Sequence, residues 1–129
     1  MDAKAKVAAG DLAGALNELN SAVRSDPARS DLRTFLFQLH CILGNWDRAR
    51  TQLDVLRELD ISSLPMCETY DALLRCEVIR KKVFDGTMEP TVLGEPEPWI
   101  ALLIQALSAQ STEQAQDLRT RAFEEAPVA

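Results

Sequence analysis

The sequence predicts an all-α protein assembled from helical hairpins. Three observations predict it. Apolar residues recur at helical spacing, as in Leu32, Phe35, Leu36, Leu39, Ile42 and Leu43. Glycine, proline and capping residues divide that pattern into about seven segments, none of which reads as a strand. The stretch from Gly10 to Pro27 also recurs from Gly44 to Ile61, at an offset of 34 residues.

Each element has a local reason. The first helix is short, about Asp2 to Ala9, and Gly10 ends it, because glycine adopts the left-handed turn without steric cost. In the repeat, Gly10 aligns with Gly44, Ala15 with Ala49, Leu19 with Leu53 and Asp26 with Asp60. These four identities among eighteen positions are the ones a helix pair needs: a turn glycine and a small residue where two helices approach. The bulky Leu12 and Trp46 also align, each two places after the glycine. Ser30 or Asp31 is expected to cap the third helix. Pro65 suits the first turn of the fifth, which has Glu68 early and Arg80, Lys81 and Lys82 late, as the helix dipole favours. Ser111 and Gln114 form a capping-box pattern before the last helix.

A 34-residue period with this punctuation resembles the tetratricopeptide repeat, a helix-turn-helix unit. A third, degenerate copy closes the chain. Trp99 and Leu102 keep the Trp-x-x-Leu spacing of that repeat's first helix. Ala115, Ala122 and Pro127 stand where its second helix wants small residues and a final proline, but Gln110 replaces the turn glycine. Between the fifth and sixth helices a loop is expected at about 85–98. The stretch Phe84–Trp99 holds three prolines, two glycines and four acidic side chains. Such a length is uncommon in a compact domain, and Val92 and Leu93 are expected to tuck it against the helices.

Bulk properties bound the function. The 129 residues are 47% hydrophobic and 26% charged, and are expected to form one domain over 1–129. A net charge of −6 disfavours bare nucleic acid and favours a basic partner segment. There is no apolar run long enough to span a bilayer and no signal-like start, so a cytoplasmic protein with no membrane contact is expected. Cys41, Cys67 and Cys76 are odd in number and widely spaced, which points to reduced thiols. With no CxxC pair and a single histidine, no metal site and no cofactor are expected.

The segments Phe35–Leu39 (Phe-Leu-Phe-x-Leu), Gly44–Ala49 (Gly-x-Trp-x-x-Ala) and Leu93–Trp99 (Leu-Gly-Glu-Pro-x-x-Trp) resemble the ImpE/TagJ family, accessory proteins of bacterial type VI secretion. The resemblance runs in order through nearly the whole chain. Members usually continue with a second domain after the position of Pro127, so this chain is expected to be the N-terminal domain of a longer architecture. The resemblance implies a non-enzymatic adaptor. It would bind the N-terminal helical segment of the small contractile-sheath subunit and assist sheath handling by the AAA+ ATPase complex.

Repeat geometry places the partner groove on the first helix of each pair. One wall is expected from Phe35, Gln38, Leu39 and Ile42, and the facing wall from Tyr70, Leu74 and Glu77, with Asp71 or Glu77 reading basic side chains. The alternatives are a self-associating architectural protein and a general peptide-binding chaperone. An enzyme has little support: the sequence has no Gly-rich phosphate loop and no nucleophile elbow. His40 reads as a packing or surface residue, the cysteines as structural thiols (Cys67, near a helix start, the more reactive candidate), and Trp46 and Trp99 as core. Arg80 to Lys82 read as a solvated helix end. Glu89, Glu95 and Glu97 fit a docking site for a basic peptide and a solvated loop equally well.

Overall fold

The computed structural model describes residues 2–128. Among them are seven α-helices, one 3₁₀ turn and no strand. The helices are α1 (Ala3–Ala8), α2 (Leu12–Ser25), α3 (Ser30–Ile42), α4 (Trp46–Leu59), α5 (Leu64–Phe84), α6 (Pro98–Leu107) and α7 (Thr112–Glu125), with the 3₁₀ turn at Ile61–Ser63. The chain forms two compact units, Met1–Arg75 and Cys76–Ala129, and the division falls within α5.

In the first unit the 34-residue repeat is visible at the level of single hydrogen bonds. Gly10 and Gly44 have φ of +79° and +72°. Around the first, the Gly10 N–H donates to Val7 O (3.0 Å) and the Asp11 N–H to Lys6 O (2.9 Å). Around the second, the Gly44 N–H donates to Cys41 O (3.1 Å) and the Asn45 N–H to His40 O (2.8 Å). Both are the paired closure that satisfies the last carbonyls of a helix. The other ends match too: the N–H groups of Asp26 and Asp60 each donate to a carbonyl four residues back, at 3.0 Å.

The repeat identities are also packing identities. Ala15 and Ala49 are fully buried, with Leu19 and Leu53 one turn on. Ala15, Leu19 and Val23 of α2 pack with Leu36 and Leu39 of α3. Ala49, Leu53 and Leu56 of α4 pack with Phe37 of α3 and with Cys67 and Leu74 of α5. Helix α3 is therefore buried on two sides. The periodic reading found the Leu36/Leu39 side and missed the side carrying Phe37 and His40.

The expected cap of α3 is not the one that forms. The N-cap is Arg29 and makes no side-chain cap bond. Asp31 is diverted to Arg29, whose Nε donates to its Oδ1 at 3.0 Å. Side-chain caps form at α1, α2 and α7, where Asp2, Asp11 and Ser111 accept from the N–H groups of Ala5, Gly14 and Gln114, but not at α4 or α6. Pro65 lies in the first turn of α5, and Pro98 opens α6 rather than ending the loop.

In the second unit α6 and α7 pack together through the buried Leu102, Ala106, Ala115 and Ala122. Gly86, at φ +78°, ends α5 as Gly44 ends α3: its N–H donates to Val83 O and the Thr87 N–H to Lys82 O, both at 3.0 Å. No helix follows at once, because Pro90 and Pro96 interrupt the chain that continues from it. The loop does not tuck in through Val92 and Leu93, which are exposed, Leu93 at 96%. Its close approach is at Gly86, where the absence of a side chain lets backbone meet backbone: a β-carbon would stand 2.2 Å from the Leu107 carbonyl oxygen.

Two glycine substitutions should therefore separate. Gly44→Ala meets no atom within 4 Å and costs only the left-handed strain, about 1–2 kcal/mol. Gly86→Ala should cost more, because strain and steric clash add. Urea unfolding of both variants measures the difference; equal losses would mean that the approach at Leu107 relaxes freely.

Candidate functional site

With two sides of α3 buried, a third remains open. Asp31, Phe35, Gln38 and Ile42 follow one another at helical spacing along it. Phe35 is half-buried, Gln38 is exposed, and Ile42 is 64% exposed. Lys4 of α1 stands beside the N-terminal half of this stripe. Lys4, Arg29, Asp31, Thr34, Phe35 and Gln38 line a concavity of about 570 Å³. The hydrogen bond between Arg29 and Asp31 raises the guanidinium's pKa and lowers the carboxyl's. Both groups are exposed, so the pair contributes little to stability. It neutralises itself, and Lys4 adds a further cation.

Tyr70 is fixed by the core beneath it. Its ring meets Phe37 edge-on, with centroids 5.2 Å apart and planes at 65°. Asp71, one residue on, is buried among arginines: Arg50 Nε at 2.9 Å, Arg75 Nη2 at 2.6 Å and Arg57 Nη2 at 3.9 Å. Burial alone would raise its pKa, but Arg50, Arg75 and Arg57 together hold it below the usual carboxylate value. Leu74 is core. Glu77 lies in the second unit, 3.6 Å from Arg80.

His40 is 3% exposed, and its Nδ1 lies 3.4 Å from Asn45 Nδ2. Burial, with help from the Arg48 charge, pushes its pKa down, so it stays neutral and accepts from the amide. Cys67 is fully buried and not available for reaction, Cys41 is half-buried with its thiol pKa raised by burial, and Cys76 is exposed. Trp46 packs against the α4–α5 core, and Trp99 Nε1 donates to Glu97 Oε2 at 2.7 Å. Among the described residues no cluster of histidine, cysteine and carboxylate side chains is placed to hold a metal, and no helix is long and apolar enough to cross a membrane.

A family model described as tetratricopeptide repeat matches residues 6–60, from the end of α1 through α4. The type VI secretion system accessory component TagJ of Pseudomonas aeruginosa is 48% identical over 131 residues, which take in 99% of this chain and 47% of that protein. The similarity extends over nearly the whole of this chain and supports its resemblance to the ImpE/TagJ family. The crystal structure of protein VPA1032 from Vibrio parahaemolyticus matches with a TM-score of 0.84 and 28% identity, over 95% of this chain and 47% of that one. The chain thus spans about half the length of the relatives it matches.

The eight residues expected to form the groove divide by environment. Phe35, Gln38 and Ile42 share the open stripe of α3. Leu39 and Leu74 are 0% and 5% exposed and face the two cores, so neither is available to a docked partner. Asp71 is already saturated by arginines and has no carboxylate oxygen free for a basic visitor. Tyr70 is 43% exposed beside Phe37, and Glu77 belongs to the other unit. The sequence reading missed Lys4 and Arg29. Neither has an apolar pattern to mark it: Lys4 reaches the concavity from α1, and Arg29 reaches it as the N-cap of α3.

Stability should fall in two acid steps. His40 is depressed below its ordinary 6.5, so the unfolded chain takes up the proton more readily; its contribution is present above pH 6.5 and is lost as pH falls below it. Asp71 is depressed below 3.8, so its contribution is present above that value and is lost as pH falls through the lower native one. Thermal unfolding between pH 8 and pH 3 checks both. His40→Gln should flatten the first step and Asp71→Asn the second.

Proposed function

We propose that this chain is a cytoplasmic, non-enzymatic adaptor of the bacterial type VI secretion system. It binds the N-terminal helical segment of the small contractile-sheath subunit and so assists sheath handling by the AAA+ ATPase. The observation that carries this reading is the uncovered α3 stripe beside α1. Asp31 to Ile42 spans about 17 Å at 1.5 Å per residue, room for roughly three turns of a partner helix. Phe35 and Ile42 offer apolar anchors two turns apart, and Gln38 between them offers donor and acceptor. Lys4 at the α1 edge favours an acidic side chain on the visiting segment. Similarity to the accessory component TagJ supports the secretion role, and three free cysteines suit a reducing compartment.

Titration calorimetry of the chain against a synthetic N-terminal segment of the cognate small sheath subunit tests the reading. One-to-one binding is expected. Ile42→Asp should weaken it at least about tenfold, about 1.4 kcal/mol, while leaving thermal unfolding unchanged. Phe123→Asp, on the exposed face of α7, should leave affinity unaltered. Undiminished binding by the Ile42 variant would put the partner elsewhere. Absence of binding, with a size that grows with concentration, would favour a self-associating architectural protein.

A further inference from the structure

A second cavity lies within the Cys76–Ala129 unit. About 250 Å³ of space opens between the end of α5 and the end of α6. Its walls are apolar at Val83, Met88, Pro90, Ile104 and Leu107 and polar at Thr87, Glu89, Gln105 and Ser108. Gly86 sets its floor, since only glycine lets the α5 turn come up against the Leu107 carbonyl.

Both helices present their C-terminal ends here, through Val83 and Gly86 on one side and Leu107 and Ser108 on the other. A helix C-terminus carries a partial charge of about −0.5 from its unpaired carbonyls. The last turn of α5 has its own cations, Lys81 and Lys82, with Lys81 bound to Asp85 at 2.6 Å. The last turn of α6 has none. Its Ser108 hydroxyl donates to Gln105 O at 3.3 Å, but among the described residues nothing donates to Leu107 O. Glu89 adds a full negative charge to the lining and has no ion-pair partner among the described residues. A partly apolar slot thus ends in acceptors that lack a cation.

We propose that this cleft receives an arginine side chain from a partner segment. The aliphatic stem would lie along Val83, Met88, Ile104 and Leu107, and the guanidinium would reach the Glu89 carboxylate and the α6 carbonyl end. Arginine fits this better than lysine. Its five N–H donors lie in one plane and serve several acceptors together, and it is less strongly hydrated than an ammonium. The site is separate from the α3 stripe, so its failure would leave the adaptor reading standing.

The test is an NMR titration of the isotope-labelled chain with N-acetyl-arginine amide, and with the citrulline analogue that keeps the shape but loses the charge. Saturable shifts are expected at the amides of Gly86 to Glu89, Leu107 and Ser108, with citrulline weaker by about tenfold. Glu89→Gln, a surface change, should weaken arginine binding severalfold and leave citrulline unaffected. Ile104→Trp should fill the cleft and abolish the shifts. Equal binding of citrulline, shifts scattered over the acidic surface, no shifts at all, or binding that survives in a folded Ile104→Trp chain would each overturn the proposal.

Discussion

Helix α3 is held from both sides, and the rest of the first unit is arranged around that constraint. Leu36 and Leu39 turn toward α2, and Phe37 turns toward α4 and α5. A helix buried on two faces has one narrow stripe left for solvent. That stripe is fixed by the cores on either side of it, which is what a binding surface requires if it is to be ordered before a partner arrives. Arg33 reinforces the placement, with Nη1 on Gln52 Oε1 at 3.2 Å.

Much of this architecture is legible in the sequence, for physical reasons. Gly10 and Gly44 announce left-handed turns, and Ala15 and Ala49 mark close helix approaches; each role is local and restricts the residue that can fill it. The site is less legible. Periodicity shows that Leu39 and Ile42 both belong to a helix but not which of them faces a neighbour; one is fully buried and the other largely exposed. Arg75 is an i,i+4 neighbour of Asp71 on α5 and was within reach of the sequence, but Arg50 and Arg57 come from α4, and their convergence on Asp71 depends on how α4 meets α5. The loop was misread where apolar content stood in for burial. Leu93 is exposed, and Gly86, with no side chain to attract notice, makes the contact.

Charge is distributed with more order than a net value of −6 suggests. The concavity beside α3 contains a self-neutralising pair and a lysine, so the acidic character expected of the binding face lies elsewhere. It is prominent in the segment between α5 and α6, where Glu89, Glu95 and Glu97 follow a helix end. Glu97 is occupied by Trp99, so the three carboxylates are not equivalent. The two basic ideas of the sequence, a helical groove and an attraction for cations, thus attach to different units of the chain.

The graded burial of the three thiols has a use beyond packing. Cys76 meets solvent in the native fold, whereas Cys67 is sealed under α4, with Ser63 Oγ 3.6 Å from its sulfur. An alkylating reagent will therefore consume Cys76 at its intrinsic chemical rate and Cys67 only when the α4–α5 contact opens. The ratio of the two rates gives the equilibrium constant of local opening, and its logarithm the free energy. The molecule thus carries an internal clock and its own reference, able to report whether a ligand on α3 tightens the core behind it.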